Sequence, residues 1–240
     1  MTPLRRALAL WVAVLTLVAA GGVLTLVLLP DVGATMRALL VTEVLFAAVL
    51  IARARWWSWE QVGMTRPALR SHRGVLAFLT VVALSPLVGG IRTPADGILV
   101  LLVGYALTGF TEELLWRGIV QHELRPLGPV RSVLLTAALF GASHLANVFF
   151  RDGVVIVLAQ CWGAFCFGVA YGAVRNRIGS IVPLMVLHAV TDLAAAVGAL
   201  PKIPVLVAED VVLLTFGLVL LARDRRVLHD RDRHGELAVG

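Results

Sequence analysis

The feature that most constrains this chain is a series of apolar blocks, each close to the length that crosses a bilayer. A helix needs about 20 predominantly apolar residues to span the hydrocarbon core. The blocks are residues 7–29, 36–52, 74–90, 97–116, 131–150, 154–174, 180–199 and 204–222. Because a bilayer offers no water to backbone polar groups, such blocks must be helical. We therefore predict an all-α, polytopic membrane bundle of about eight transmembrane helices.

The composition excludes an ordinary soluble domain. Apolar residues make up 59% of the chain and charged residues 15%, whereas soluble domains contain roughly 45–50% and about 25%. The net charge of +6 does not indicate nucleic-acid binding, because the basic residues lie between apolar blocks and form no single patch. We predict one membrane-embedded domain over residues 1–240, with membrane lipid around it.

The basic residues predict how the chain is oriented. If the N-terminus is cytoplasmic and the chain crosses eight times, every Lys and Arg falls on the cytoplasmic side except Arg37, Arg92, Arg151 and Lys202. Cytoplasmic loops of membrane proteins carry such an excess of positive charge. The bias predicts an N-in, C-in topology, and the Arg-rich tail after Leu221 is expected to face anionic lipid.

A small set of ionisable side chains lies within the apolar blocks. A charged residue in hydrocarbon costs at least ~2.5–3.5 kcal/mol on insertion scales, so these residues are functional-site candidates by default. The set is Glu43, Glu112, Glu113, His144, His188 and Asp192. We expect Glu43 to pair with the site or face a cavity. Glu209 and Asp210, near the start of the last block, are expected close to the surface.

Three blocks place polar side chains at a similar depth. Counted from the expected cytoplasmic helix ends, Glu112, His144 and Asp192 each lie about 13 residues in, which is roughly 20 Å at 1.5 Å per residue. His188 lies about 14 Å in by the same measure. Polar side chains that surround one interior site would be expected at matching depths, whereas randomly placed polar side chains would not. The depths therefore predict one polar site within the bundle.

Spacing along the helices divides these residues into pairs. Glu113 and Arg117 are four residues apart, so they share a helix face and can form an ion pair. His188 and Asp192 have the same spacing. Glu112 is rotated by about 100° from Glu113, so the two carboxylates need not share a partner. The pattern predicts a structural carboxylate, Glu113, and a carboxylate free for chemistry, Glu112.

These residue types can support amide hydrolysis in two ways. A carboxylate and a nearby imidazole can polarise a water molecule and accept its proton, while a second histidine and a polar partner stabilise the oxyanion. Alternatively, Glu112, His144 and His188 could hold Zn²⁺ with an open position for water. The chain contains no GxSxG turn and no HExxH sequence. Both schemes remain open at this point.

Three short motifs lie in order on three separate predicted helices. TEELLWRG carries EExxxR (Glu112, Glu113, Arg117), FGASHLAN carries FxxxH (Phe140, His144), and HAVTD carries HxxxD (His188, Asp192). In this order they resemble the motifs of the CPBP family of intramembrane proteases. That family includes the type II CAAX prenyl endopeptidases and bacterial bacteriocin-processing or self-immunity homologues. The motifs span about residues 112–192, so we expect the core of the domain at residues 97–200.

The resemblance implies a role for each motif residue. Glu112 would be the general base that activates water, with His144 orienting that water. His188 and the residue at position 192 would stabilise the oxyanion. Glu113 and Arg117 would be a supporting pair. Separately, Asn147 is expected to form a hydrogen bond between helices, with a possible supporting role at the site, and Phe140 is expected to pack there.

Asp192 departs from the pattern of the prenyl endopeptidases, which usually carry Asn at this place, while bacterial relatives accept Asp. An ionised Asp has no proton to donate to an oxyanion. Asp192 would therefore be protonated, or it would orient His188 instead.

The function that follows from these residues is that of an intramembrane endopeptidase, a CAAX-type protease or metalloprotease with Zn²⁺ as its possible cofactor. Its expected substrate is a peptide or membrane protein, and its expected location is a bacterial plasma membrane. One alternative is a non-catalytic scaffold or bacteriocin self-immunity protein of the same fold. Another is a proton- or ion-coupled transporter, because carboxylates and histidines in membranes also form relays.

Overall fold

Helices make up almost all of the chain. The computed structural model describes residues 1–67, 69–93, 95–151 and 153–237, with side chains except at 95–96 and 226–237. These ranges contain no β-strand, and the all-α prediction is confirmed. The helices are α1 (Pro3–Leu28), α2 (Ala34–Trp56), α3 (Arg73–Leu84), α4 (Ala95–Glu112), α5 (Gln121–Leu124), α6 (Pro129–Ser143), α7 (Val154–Ile178), α8 (Val182–Val197) and α9 (Lys202–Leu237).

Seven helical segments of the described chain are long and apolar enough to cross a membrane. They confirm the prediction of a multi-pass membrane bundle. The seventh predicted span, residues 180–199, corresponds to α8, which has only 16 residues, or about 24 Å of helix against roughly 30 Å of hydrocarbon. The orientation with both termini inside stays a prediction, and the tail side chains of Arg226, Arg231 and Arg233 lie outside the described residues.

The segment between α3 and α4 covers the C-terminal end of the short helix α8. The Ala199 N–H donates to the Gly90 carbonyl, and the Arg92 N–H donates to the Val197 carbonyl, each at 2.9 Å. The same contact pairs Ile91 with Gly198 in an isolated antiparallel bridge. Backbone groups that leave α8 inside the membrane therefore find partners in protein, as a bilayer requires.

The span that carries the EExxxR motif is continuous from Gly97 to Leu127, as the absence of an early proline predicts. Its middle, Glu113–Val120, is wound as a π-helix, which the sequence analysis did not predict. A π-helical turn widens the helix locally, and such turns occur frequently at functional sites. The widened segment begins at the second glutamate of the motif.

Glycines allow the helices around the motifs to approach closely. A Cβ atom at Gly109 of α4 would lie 2.7 Å from the Met185 carbonyl oxygen and 2.9 Å from the Ala189 nitrogen of α8. A Cβ atom at Gly168 of α7 would lie 2.9 Å from Ala137 of α6. Small residues at helix crossings are a general device of membrane bundles. Here the Gly109 crossing joins α4, which carries Glu112, to α8, which carries His188, and the Gly168 crossing joins α7 to α6, the helix that ends before His144.

The Gly109 crossing gives a stability prediction. We expect Gly109→Ala to destabilise the protein by about 1–3 kcal/mol, because the new methyl group overlaps the α8 backbone. Thermal unfolding of the purified protein in detergent measures the effect. Gly74→Ala is the matched control, since nothing lies within 4 Å of a Cβ at that helical position. Equal stability of the two variants would contradict the close crossing.

The loop between α2 and α3, residues 57–67, fixes the turn that leads into α8. The Ile181 N–H donates to the Gly63 carbonyl at 2.9 Å, and the Ser180 hydroxyl donates to the Thr65 carbonyl at 2.7 Å. The Thr65 hydroxyl donates in turn to the Gly179 carbonyl at 3.1 Å. This α2–α3 loop therefore anchors the N-terminal end of α8, the helix that carries His188.

Candidate active site

The centre of the site is the carboxylate of Glu113, the first residue of the π-helical segment. Its Oε1 atom lies 3.0 Å from Nη1 of Arg117, and neither side chain is exposed. The same oxygen lies 2.8 Å from Nδ1 of His188 on α8. A carboxylate facing Arg accepts and does not donate, so Nδ1 of His188 carries a proton. Glu113 thus links the EExxxR motif, to which it belongs, to the HxxxD motif of α8.

Three aromatic rings surround this buried group. The Arg117 guanidinium carbon lies 4.5 Å from the Phe140 ring centroid and 5.3 Å from that of Phe167. Phe167 also lies 4.6 Å from the His188 ring and stacks on Tyr171 at 3.7 Å. Cation–π contacts with desolvated rings favour a charged guanidinium. We call Phe140, Phe167 and Tyr171 the aromatic wall. It holds both Arg117 and the His188 ring in place.

Phe167 and Tyr171 were not identified as site residues from the sequence. They are spaced by four residues in an apolar block, which is the ordinary pattern of helix packing. No sequence signal separates them from the other apolar residues of α7. Phe140, in contrast, belongs to a motif, and the structure places it against Arg117 as well as 4.9 Å from the His144 ring.

Glu112 differs from its neighbour in having no short contact. Its side chain is 22% exposed, and its Oε2 atom lies 3.6 Å from Nε2 of His188. Oδ2 of Asp192 lies at the same 3.6 Å distance from Nε2. These distances exceed a direct hydrogen bond, and polar groups so separated are commonly bridged by water. Two carboxylates thus flank one imidazole nitrogen, and Glu112 and Asp192, which the sequence places at matching depth, lie in one site.

Glu112 and His144 line the same cavity, which has a volume of about 80 Å³. Trp116, Ser143 and Asn147 also line it. A polar cavity of this size holds a few water molecules. The opposite wall comes from α1 and α2, through residues such as Val14, Val18, Val41 and Thr42. The predicted core at residues 97–200 omits this wall, and its apolar residues carry no signal that could have revealed it.

His144 stands where α6 ends and a 3-10 turn begins. Its Nδ1 atom lies 3.0 Å from the Phe140 carbonyl oxygen, which can only accept, so Nδ1 is the protonated nitrogen. The hydrogen bond of one ring nitrogen sets the role of the other. In a neutral ring, Nε2 is therefore left with a lone pair that can accept a proton or a hydrogen bond.

Asn147 follows one turn later and joins two helical elements. Its Nδ2 atom donates to Oε1 of Gln160 on α7 at 3.2 Å, which is the kind of bond that the sequence analysis predicts for it. Because Asn147 also lines the cavity, this bond fixes part of the cavity wall.

Two other membrane carboxylates lie apart from the site. Glu43 on α2 is exposed and forms no hydrogen bond or ion pair within the described residues. It therefore has no partner in the site among these residues, and a role at a cavity stays a prediction. Glu209 is 8% exposed, so it is more buried than a surface position implies. The Ser85 hydroxyl donates to it at 2.8 Å, which explains how α9 accommodates this carboxylate.

The arrangement of ligands does not favour the zinc scheme. Among the residues that the structure describes, no three His, Cys, Asp or Glu side chains are grouped so as to hold a metal ion. Nδ1 of His188 and Nδ1 of His144 are both engaged with protein acceptors, so only the Nε2 atoms of the two rings could serve as ligands. Zinc binding by Glu112, His144 and His188 stays a prediction, and the chemistry below is carried by the side chains themselves.

Comparison with known families agrees with the motifs. The sequence model of a family described as type II CAAX prenyl endopeptidase Rce1-like matches residues 94–194. The match contains all three motifs and extends from α4 into α8, so the resemblance to this protease family is confirmed. A search of curated proteins found no match.

Proposed function

We propose, from the membership of residues 94–194 in the Rce1-like family of type II CAAX prenyl endopeptidases, that this membrane protein is an intramembrane endopeptidase. Its substrate would be a CAAX-type or related membrane peptide or protein, in a bacterial plasma membrane. The observation that carries the proposal is the position of Glu112. This carboxylate lines a cavity with His144 and lies beside His188 without a direct hydrogen bond.

The first step is the activation of water. A water molecule in the cavity donates one hydrogen bond to the Glu112 carboxylate and one to Nε2 of His144. Glu112 accepts the proton as the water oxygen attacks the peptide carbonyl carbon. Its freedom from any ion pair with Arg117 leaves the carboxylate available for this proton. The neighbouring side chains of Glu113, Arg117 and His188 are almost fully buried, which strengthens the electrostatic interactions among them.

The second step is the stabilisation of the oxyanion. His188 donates through Nδ1 to Glu113, so it can donate through Nε2 to the oxyanion when its ring is an imidazolium. The Glu113 carboxylate at Nδ1 provides the compensating negative charge while Glu112 holds the proton of the attacking water, and an ionised Asp192 would add to it from 3.6 Å. Collapse of the intermediate breaks the C–N bond, and the protonated Glu112 returns its proton to the leaving amine. Water is consumed, and one acid and one amine are formed.

A defined peptide assay tests the proposal. The purified protein in liposomes is incubated with a peptide that ends in a prenylated CAAX sequence and with the same peptide without the prenyl group. We expect hydrolysis of one peptide bond, located by mass spectrometry, in at least one of the two. A cut peptide lacking the prenyl group would favour a related peptide substrate. Absence of cleavage of both peptides and of membrane proteins would contradict protease activity.

Asp192 gives a prediction that separates its two possible roles. If position 192 donates a hydrogen bond to the oxyanion, Asp192→Asn should retain the rate within about tenfold, since Asn always carries donor hydrogens. If Asp192 instead balances the charge of a His188 imidazolium, the same substitution should lower the rate by about 10²-fold, comparable to the loss of a single electrostatic contact. Initial rates of peptide cleavage, with Asp192→Leu as the variant that removes both roles, measure the difference. A Leu variant as active as the wild type would contradict both roles.

A further inference from the structure

The guanidinium of Arg175 is buried near the predicted cytoplasmic end of α7, without a counter-charge from the residues that the structure describes. The residue is 3% exposed, and its Nε atom is fully buried with no hydrogen-bond partner. The Arg175 side chain forms no hydrogen bond or ion pair with any residue that the structure describes. An unpaired buried charge is strongly destabilising. The side chain is therefore placed to meet a negative group from outside the described chain.

The groups nearest to Arg175 add positive charge. Arg125 lies close enough for the two guanidinium charges to interact, and His122 interacts with both of them. Nδ1 of His122 is also buried without a hydrogen-bond partner. Arg175 and His122 come from different helical elements, α7 and α5, so the cluster is built by the tertiary fold. We call Arg125, His122 and Arg175 the basic cluster.

Glu123, the acidic residue next to His122, already has two hydrogen-bond partners. Oε1 of Glu123 accepts from the indole N–H of Trp57 at 2.8 Å, and Oε2 accepts from Arg6 at 3.1 Å. Glu123 interacts electrostatically with His122, but it forms no ion pair with Arg175. Within the described residues, the positive charge of Arg175 therefore has no carboxylate to neutralise it.

A glycine of the α2–α3 loop closes one side of the cluster. Gly63 has a positive φ of 82°, which L side chains rarely adopt. A Cβ atom at this position would overlap the Arg175 guanidinium. The loop backbone thus lies directly against the charged group, and a glycine is required for that approach. This contact also places the cluster beside the Trp-rich part of the loop.

The position of the cluster identifies the chemistry of its ligand. Arg175 lies three residues before the end of α7 at Ile178, or about 5 Å from the helix end, which is the depth of lipid headgroups. Basic pockets between transmembrane helices on the cytoplasmic side bind anionic lipid headgroups. From this geometry we propose that the basic cluster binds a phosphate group, supplied by an anionic phospholipid of the cytoplasmic leaflet.

Competition between lipids tests the proposal. The purified full-length protein is exchanged into detergent with equal amounts of phosphatidylglycerol and phosphatidylcholine, and retained lipid is counted by native mass spectrometry. We expect the wild type to retain phosphatidylglycerol preferentially. Arg175→Gln should lower that preference about tenfold, because a charge-assisted hydrogen bond to phosphate is lost. Arg125→Gln, at an exposed position, should lower it about threefold.

Arg177→Gln is the matched control. Arg177 lies two residues further along α7 and is paired with Asp224 at 2.6 Å, so this variant should keep the lipid preference. A second arm supplies inorganic phosphate in phosphatidylcholine alone and measures thermal stabilisation. Stabilisation that Arg175→Gln abolishes would confirm the phosphate site but assign it to free phosphate. No preference in the wild type together with no phosphate effect would overturn the proposal, as would equal effects in Arg125→Gln and Arg175→Gln.

Discussion

Replacing Glu112 with Gln is expected to lower the rate of peptide hydrolysis by about 10³-fold, within the range that general acid–base groups contribute. Gln has nearly the same shape as Glu but cannot accept the proton of the attacking water. Because Glu112 has no hydrogen bond within the described residues and lies 3.6 Å from His188, the fold should tolerate the change. Initial rates of peptide cleavage and thermal unfolding, measured on the same preparation, check both expectations.

Glu209→Gln is the matched control for this experiment. It removes another membrane carboxylate, one that is bonded to Ser85 and contacts none of the motif residues within the described chain, and it should leave the cleavage rate unchanged. The natural substrate can be sought with the same variants, by comparing membrane peptides and proteins from cells that contain wild-type protein or Glu112→Gln. Fragments present only with the wild type would be the products.

A fully active Glu112→Gln variant would contradict the proposed mechanism. The alternative of a non-catalytic scaffold or immunity protein predicts another pair of results. If wild-type protein cleaves nothing while both it and Glu112→Gln support the same cellular phenotype, the bundle acts as a scaffold or immunity protein. The cavity residues would then serve packing and hydration, and not chemistry.

The positions of the membrane helices could be predicted from the sequence, because they follow from the properties of the bilayer. Blocks of about 20 apolar residues must become helices in lipid, and the helices appear where the blocks are. The i,i+4 rule likewise predicted that Glu113 pairs with Arg117. Depth counting placed Glu112 and Asp192 at the same level, because a rise of 1.5 Å per residue is common to helices of one bundle; both lie 3.6 Å from Nε2 of His188, for which the count gave a shallower position.

The partners across helices could not be predicted in this way. Asp192 was expected to be the partner of His188 because it lies one turn away, yet the short bond to His188 comes from Glu113 at 2.8 Å. Helix spacing describes neighbours on one helix, whereas this bond depends on how α4 and α8 are rotated and packed. The π-helical turn at Glu113 contributes to that rotation, and no periodicity in the sequence marks it.

Replacing Glu113 with Gln is expected to have the largest effect on stability. Its carboxylate is the buried counter-charge of Arg117 and also the acceptor for Nδ1 of His188. Removing one partner of a buried ion pair leaves an uncompensated charge and costs about 3–5 kcal/mol. We therefore expect Glu113→Gln to unfold at a clearly lower temperature in detergent and to lose most cleavage activity. Unchanged stability would contradict a charged Arg117 in this position.

A double substitution separates the two roles of Glu113. Changing Glu113→Gln together with Arg117→Met removes both charges of the pair, and replacing a whole buried ion pair with apolar or neutral groups is often nearly neutral for stability. We expect the double variant to recover most of the lost unfolding temperature. Its cleavage activity should stay low, because His188 still lacks the carboxylate that fixes its Nδ1 proton and its ring orientation. If activity returned together with stability, Glu113 would act only as the counter-ion of Arg117, and the positioning of His188 would have to come from the aromatic wall and Asp192.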